Sequence, residues 1–171
     1  ITCTVPRRGD LLGPVFLEVT LPALTYSDGK TPVKWVNSIG HALIQEITFE
    51  VGEVEMDKQT GEWMEIWSRF SVDASRKEAF YNMIGKVDNY NPSQPPGKLY
   101  IPLQFWFCKN PGVYLPLLAL QYHQIRINIT LRNLSSLIYP DPASRTNPLV
   151  PACPVYSNAS VPIDLMLYGD Y

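Results

Sequence analysis

At 171 residues the chain is long enough for one domain with a real core and too short for two of ordinary size. Its residues are 46% apolar, 12% aromatic and 18% charged, a globular composition, and 16 prolines argue for many turns and against an all-helical fold. Fourteen Lys and Arg against 16 Asp and Glu leave a net charge of -2, so no basic stripe is present to follow a phosphate backbone or an anionic membrane, and no nucleic acid is expected as a direct partner.

Ile1 to Val5 alternates like a strand in progress, and Ile163 to Tyr171 stops without a polar tail, which reads as an internal fragment cut at both ends. Thr2 to Pro6 predicts a strand, and Arg7-Arg8-Gly9-Asp10 a turn. The Arg-Gly-Asp tripeptide there matches by chance often and needs no receptor. From Val15 to Leu21 the odd residues form one apolar face, and Tyr26 to Pro32 predicts a loop. His41 to Met56 reads as a long strand broken or bulged near Gly52, with Glu53, Glu55 and Asp57 alternating on a short strand or edge after it. These acids lack the glycine and ligand spacing of a calcium loop and are read as a solvated face.

The period then changes. Trp63, Ile66, Trp67 and Phe70 fall at i, i+3, i+4 and i+7, which predicts a helix starting at Thr60 or Gly61 with the tryptophans buried and Glu62 and Glu65 wet. A second helix is predicted over Ala74 to Ile84. It carries a capping box at Ser75 to Glu78, an inward face of Ala79, Phe80, Met83 and Ile84, and Gly85 at its end. Together they form a helical excursion at about 60–85 in a strand-rich chain. Val87 to Gly97 is loop. Leu103, Phe105 and Phe107 interleave with Gln104, Trp106 and Cys108, which predicts a strand covered on both faces, and Lys109 to Gly112 is turn chemistry. Val113 to Leu120, with Pro116, predicts an extended edge segment or a loop sealing the core. Gln124 to Arg132 alternates without a break, with Ile125, Ile127, Ile129 and Leu131 inward. Leu134 to Val150 is loop-rich, with a helical turn at Ser135 to Tyr139, and Val161 to Leu167 is the last strand. Seven or eight strands with long connections suit a two-sheet antiparallel sandwich and not a dinucleotide-binding fold.

Chemistry-bearing motifs do not follow. No phosphate loop, HExxH or GxSxG is present, and His41 and His123, each on a predicted strand, have no local nucleophile to activate. Cys3, Cys108 and Cys153 are odd in number and far apart, and are read as buried inert thiols. Neither a metal nor another cofactor is implied, and an enzyme with a small-molecule substrate is not expected. Three sequons, at Asn128, Asn133 and Asn158, matter only where the chain enters a secretory lumen. Four Trp and 10 Tyr with low charge favour surface hidden in contacts, and the rival reading is a jelly-roll carbohydrate-binding module.

Five segments occur together: VPRRGDL at Val5 to Leu11, WMEIW at Trp63 to Trp67, FYNMIG at Phe80 to Gly85, LQFWFCKNPG at Leu103 to Gly112 and LPLLALQYHQIRINI at Leu115 to Ile129. In this order they resemble the major capsid protein family of the nucleocytoplasmic large DNA viruses, across most of the chain. The resemblance implies an all-β, eight-stranded antiparallel jelly roll, the first half of a double jelly roll, over 1–171, lacking its opening strand or strands. It also implies homotrimers of pseudo-hexagonal outline tiling an icosahedral virion shell. Neighbouring capsomers, minor capsid proteins and an inner membrane are the implied partners, assembly is in host cytoplasm, and no catalytic residues carry over. Fold support is expected from Phe105, Phe107, Ile125, Ile127 and Ile129, and helix docking from Trp63, Trp67, Phe80 and Met83.

Overall fold

A computed structural model describes residues 1–21, 33–86, 97–133, 136–140 and 164–170. Strands β1 (Thr2–Thr4) and β2 (Leu11–Leu12) precede β3 (Val15–Thr20) and β4 (Val33–Trp35). Helix α1 (Ile39–Leu43) runs straight into β5 (Ile44–Val51), which turns back as β6 (Val54–Thr60). Helices α2 (Gly61–Ser71) and α3 (Lys77–Ile84) follow. The chain then forms β7 (Lys98–Pro102), β8 (Leu115–Pro116), β9 (Ile125–Leu131), β10 (Ile138–Pro140) and β11 (Asp164–Gly169). The segments expected as loops at 26–32 and 87–96, together with Cys153, Asn158 and the start of the last strand, lie outside the described residues.

Every pairing is antiparallel. One sheet has the order β1-β9-β5-β6, a second has β11-β3-β7, and two ribbons join β2 to β8 and β4 to β10. Along the chain the long strands switch between the two sheets, β1 in one, β3 in the other, then β5 and β6, β7, β9 and β11. That alternation is the jelly-roll path, and seven strands form the two principal sheets among the described residues. Inner faces are apolar at every second residue, as a period of two requires. Ile47, Phe49, Ile125, Ile127 and Ile129 meet Val15, Leu17, Val19, Leu99 and Ile101 in one buried cluster.

The β5–β6 hairpin turns on Gly52 and Glu53, at φ 57° and 73°. A two-residue loop with both φ positive matches the twist of its strands, and the first position has no room for a side chain: a Cβ on Gly52 would sit 2.6 Å from His123 Nδ1.

Several expectations yield to the structure. The expected strand does not begin at His41, because Ile39–Leu43 is a short helix; the pairing with β9 then shifts between Ile44 and Glu46, which sets Ile44 inward and Gln45 outward. The break expected near Gly52 is the hairpin turn after Val51, and a second irregularity close to it, between Phe49 and Glu50, leaves Met56 as the extra residue on β6. Only the ladder Lys98–Pro102 is strand before the aromatic run; Trp106–Cys108 is a 3-10 turn, and the apolar double face of Leu103 to Cys108 records a segment threaded through the core. Asp73, not Ser75, caps the turn before α3, accepting from the Ala74 N–H at 2.9 Å. His123 lies in the turn before β9, and Ile138–Pro140 forms a strand where the end of a helical turn was expected.

Candidate assembly surface

Thr60 caps α2, its hydroxyl accepting from the Trp63 N–H at 3.3 Å. The helix is amphipathic, but the side turned inward is the one with small and slender residues, Gly61, Met64 and Ser68. Close approach is the reason. At Gly61 an added Cβ would lie 2.1 Å from the His41 carbonyl oxygen and 2.4 Å from that of Ile44, so α2 rests directly on the backbone where α1 becomes β5.

The aromatic stripe therefore faces outward. Trp63 is 48% exposed, Ile66 50% and Phe70 82%, and Trp67 is half-buried. Trp63 and Trp67 stack with centroids 5.8 Å apart and planes 24° from parallel, and the Lys109 ammonium stands 4.9 Å above the Trp67 ring. The expected docking of Trp63 and Trp67 into the core is thus reversed. In α3 the buried residues are Tyr81 and Ile84; Phe80 and Met83 are half-buried, and Ala79 is exposed.

On its inner side α2 carries Glu65, which the sequence reading had placed in water. Glu65 accepts from Lys86 Nζ at 2.5 Å and lies 2.9 Å from His41 Nδ1. Burial raises its pKa, but the hydrogen bonds from His41 and Lys86 outweigh this and bring it down to about 2. The carboxylate is ionised and can only accept, so the contact is a hydrogen bond donated by His41 Nδ1–H. His41 is 1% exposed and its ring leans on Phe80 at 6.0 Å. Arg132 pairs with Glu62 and donates from Nε to the Ala42 carbonyl at 3.1 Å. These groups border an open cleft of about 660 Å³ between α1, α2 and the end of β9. Each charge in it has an opposite partner, which makes it a brace tying α2 to α1 and β9. Among the described residues no group of three or more His, Cys, Asp and Glu is placed to hold a metal.

The remaining expected residues are placed as follows. Phe105 and Phe107 are fully buried and stack at 5.6 Å, with Phe49 5.5 Å and 4.9 Å from them, while Ile125, Ile127 and Ile129 line the opposite strand. Cys108 is pushed up to about 11 by burial, so its thiol stays protonated at neutral pH. Asn128 spends its amide on Glu50 at 2.7 Å and Thr48 at 3.4 Å, whereas Asn133 is exposed after β9. The outer face of the three-stranded sheet holds a further ion pair that the periodicity did not reveal: Glu18 is nearly covered, 3.0 Å from Lys98. The hydrogen bond from Lys98 holds the Glu18 carboxyl below its usual range.

Strand path and surface together define a jelly-roll protein with an aromatic helix on its outside. The family described as "Major capsid protein N-terminus" matches residues 1–171, and the chain belongs to it. It is similar to the major capsid protein of Phaeocystis pouchetii virus, 31% identical over 167 residues, covering 81% of this chain and 32% of that protein. It is also similar to capsid protein 1 of Acanthamoeba polyphaga mimivirus, 37% identical over 146 residues, covering 75% of this chain and 25% of that protein. The chain spans about a quarter to a third of the length of these curated relatives. In structure it resembles the quasi-atomic model of the PBCV-1 virus capsid, with a TM-score of 0.69 over 99% of this chain and 37% of that one, at 21% identity.

Proposed function

We propose that this chain is the N-terminal jelly roll of a virion shell protein, and that three copies of the full-length protein form a pseudo-hexagonal capsomer of an icosahedral capsid. The observation that carries this is the match to the capsid family along all 171 residues. A closed sandwich leaves few free edges, and symmetry multiplies modest contacts into a shell. Neighbouring capsomers, minor capsid proteins and an inner membrane layer are the proposed partners, and host cytoplasm the proposed place of assembly.

Light scattering on a sizing column, with negative-stain imaging of the peak, tests the reading on the full-length protein. The expected result is a trimer mass and a hexagonal outline. A monomer that binds a glycan array overturns it in favour of the carbohydrate-binding module.

A further inference from the structure

The α2 stripe is an unusual surface. Three large apolar side chains, Trp63, Ile66 and Phe70, lie about half or more in water and Trp67 partly so, on a helix whose inner side is already packed, next to two cations: Arg69, itself 64% exposed and 3.4 Å from Glu65, and Lys109 above Trp67. Apolar patches with a charged rim are the mark of contact surfaces, and aromatics are enriched at their centres.

A second patch has the matching character. Strand β6 is the edge of its sheet, and its far end carries exposed Val54 and Met56 beside exposed Glu53 and Glu55. The irregularity that makes Met56 the extra residue interrupts the ladder there, and the glutamates guard the edge against another strand. Neither device covers Val54 or Met56. One patch is therefore apolar with a cationic rim, the other apolar with an anionic rim. They sit at opposite ends of one strand, since Val54 opens β6 and Thr60 closes it into α2.

We infer that α2 of one copy docks on the β5–β6 hairpin of the next. Trp63, Ile66, Trp67 and Phe70 cover Val54 and Met56, while Arg69 and Lys109 face Glu53 and Glu55. The contact joins unlike surfaces, so it runs head to tail and closes into a ring where the rotation per copy allows. It rests on the proposed capsomer and names the surface that holds one copy to the next. Side chains carry it, not strand addition, which the edge charges oppose.

The test uses the full-length protein, with mass followed by light scattering across a dilution series. The pair Arg69→Glu and Lys109→Glu, and separately the pair Glu53→Lys and Glu55→Lys, should each raise the concentration at which the assembly dissociates at least tenfold, read well below each variant's own melting temperature because Arg69 also pairs with Glu65 on its helix. All four changes in one chain restore opposite charges across every contact and should recover the wild-type midpoint. Phe70→Ser should also weaken assembly at least tenfold with an unchanged thermal melting point, which separates lost contact from lost fold. A wild-type trimer whose midpoint is unmoved by Phe70→Ser and by both pairs overturns this interface and leaves the capsomer standing. A weakened assembly in both pairs with no recovery in the fourfold variant overturns the charge matching. A wild-type monomer at every concentration overturns the capsomer and this contact together.

Discussion

Two aromatic groups in this chain look alike on paper and meet opposite fates. Phe105 and Phe107 stack within the sandwich against Phe49 and are fully buried. Trp63 and Trp67 stack as well, on α2, but stand at the surface. The difference lies in what each must pack against. The phenylalanines fill the space between two sheets, which stand about 10 Å apart and need large side chains. Helix α2 instead lies on the backbone at the junction of α1 and β5, where even a methyl group clashes. Large side chains are excluded from that contact and pushed to the other side of the helix.

The sandwich side of this comparison breaks hardest. Phe105→Ala removes a fully buried ring from the aromatic cluster and should destabilise the folded protein by about 3–5 kcal/mol, read by denaturant unfolding. A loss below about 1 kcal/mol would falsify its place in the core. Next comes the contact that turns α2 around. Gly61→Ala sets a Cβ against two backbone carbonyls that cannot rotate away, and the helix must lift from its seat. A loss of about 1–3 kcal/mol is expected from overpacking, together with increased hydrogen exchange in α2. An alanine variant as stable as the wild type would show that the helix does not rest there.

How much of this was legible in the sequence depends on the element. Strand β9 could be read residue by residue, because Ile125, Ile127 and Ile129 alternate with polar neighbours and one sheet face is buried. The period of α2 was equally plain, and its start was placed at Thr60 or Gly61, of which Thr60 is the cap. The direction of its apolar face was not, because a helical period defines a stripe and says nothing about what the stripe meets. Gly61 was the available signal: a glycine at the first turn, opposite a wall of aromatics, marks close backbone approach on its own side. Glu65 was misplaced for the same reason, since its partners His41 and Lys86 are 24 and 21 residues away. The run Leu103 to Cys108 misled in another way. It is apolar on alternate and intervening positions alike, and a threaded core segment shares that pattern with a doubly covered strand.

The brace beneath α2 sharpens the comparison through pH. Glu65 has its pKa lowered from an unfolded value of 4.5 to about 2, so its stabilising contribution is fully present above 4.5 and is lost as pH falls through 2. The shift corresponds to roughly 3 kcal/mol, and solvent screening at this half-open site reduces it to about 2 kcal/mol. Glu65→Gln should therefore be less stable than the wild type by that amount at pH 7. The gap should narrow between pH 4.5 and 2 and vanish below. A gap independent of pH over this window would mean that the carboxylate charge is not what holds α2 to Lys86 and His41.

The smallest expected effect on folding lies on the outer face, and its smallness is the point. Trp63→Ser deletes the largest side chain type in the protein, at a position that a buried-stripe reading would make as costly as Phe105→Ala. Because the indole is half in water and leans chiefly on Trp67, the isolated folded protein should lose no more than about 1 kcal/mol, the scale of one exposed aromatic contact. Thermal or denaturant unfolding under conditions that keep the protein monomeric reads this directly. A loss of about 3 kcal/mol or more would place Trp63 in the core and return the stripe to the inside. A small loss in the monomer, with a large one in the assembled protein, locates the energy of the tryptophan between copies. The fold tolerates exposed tryptophans on α2 because Gly61 has already fixed which side of the helix faces the sandwich.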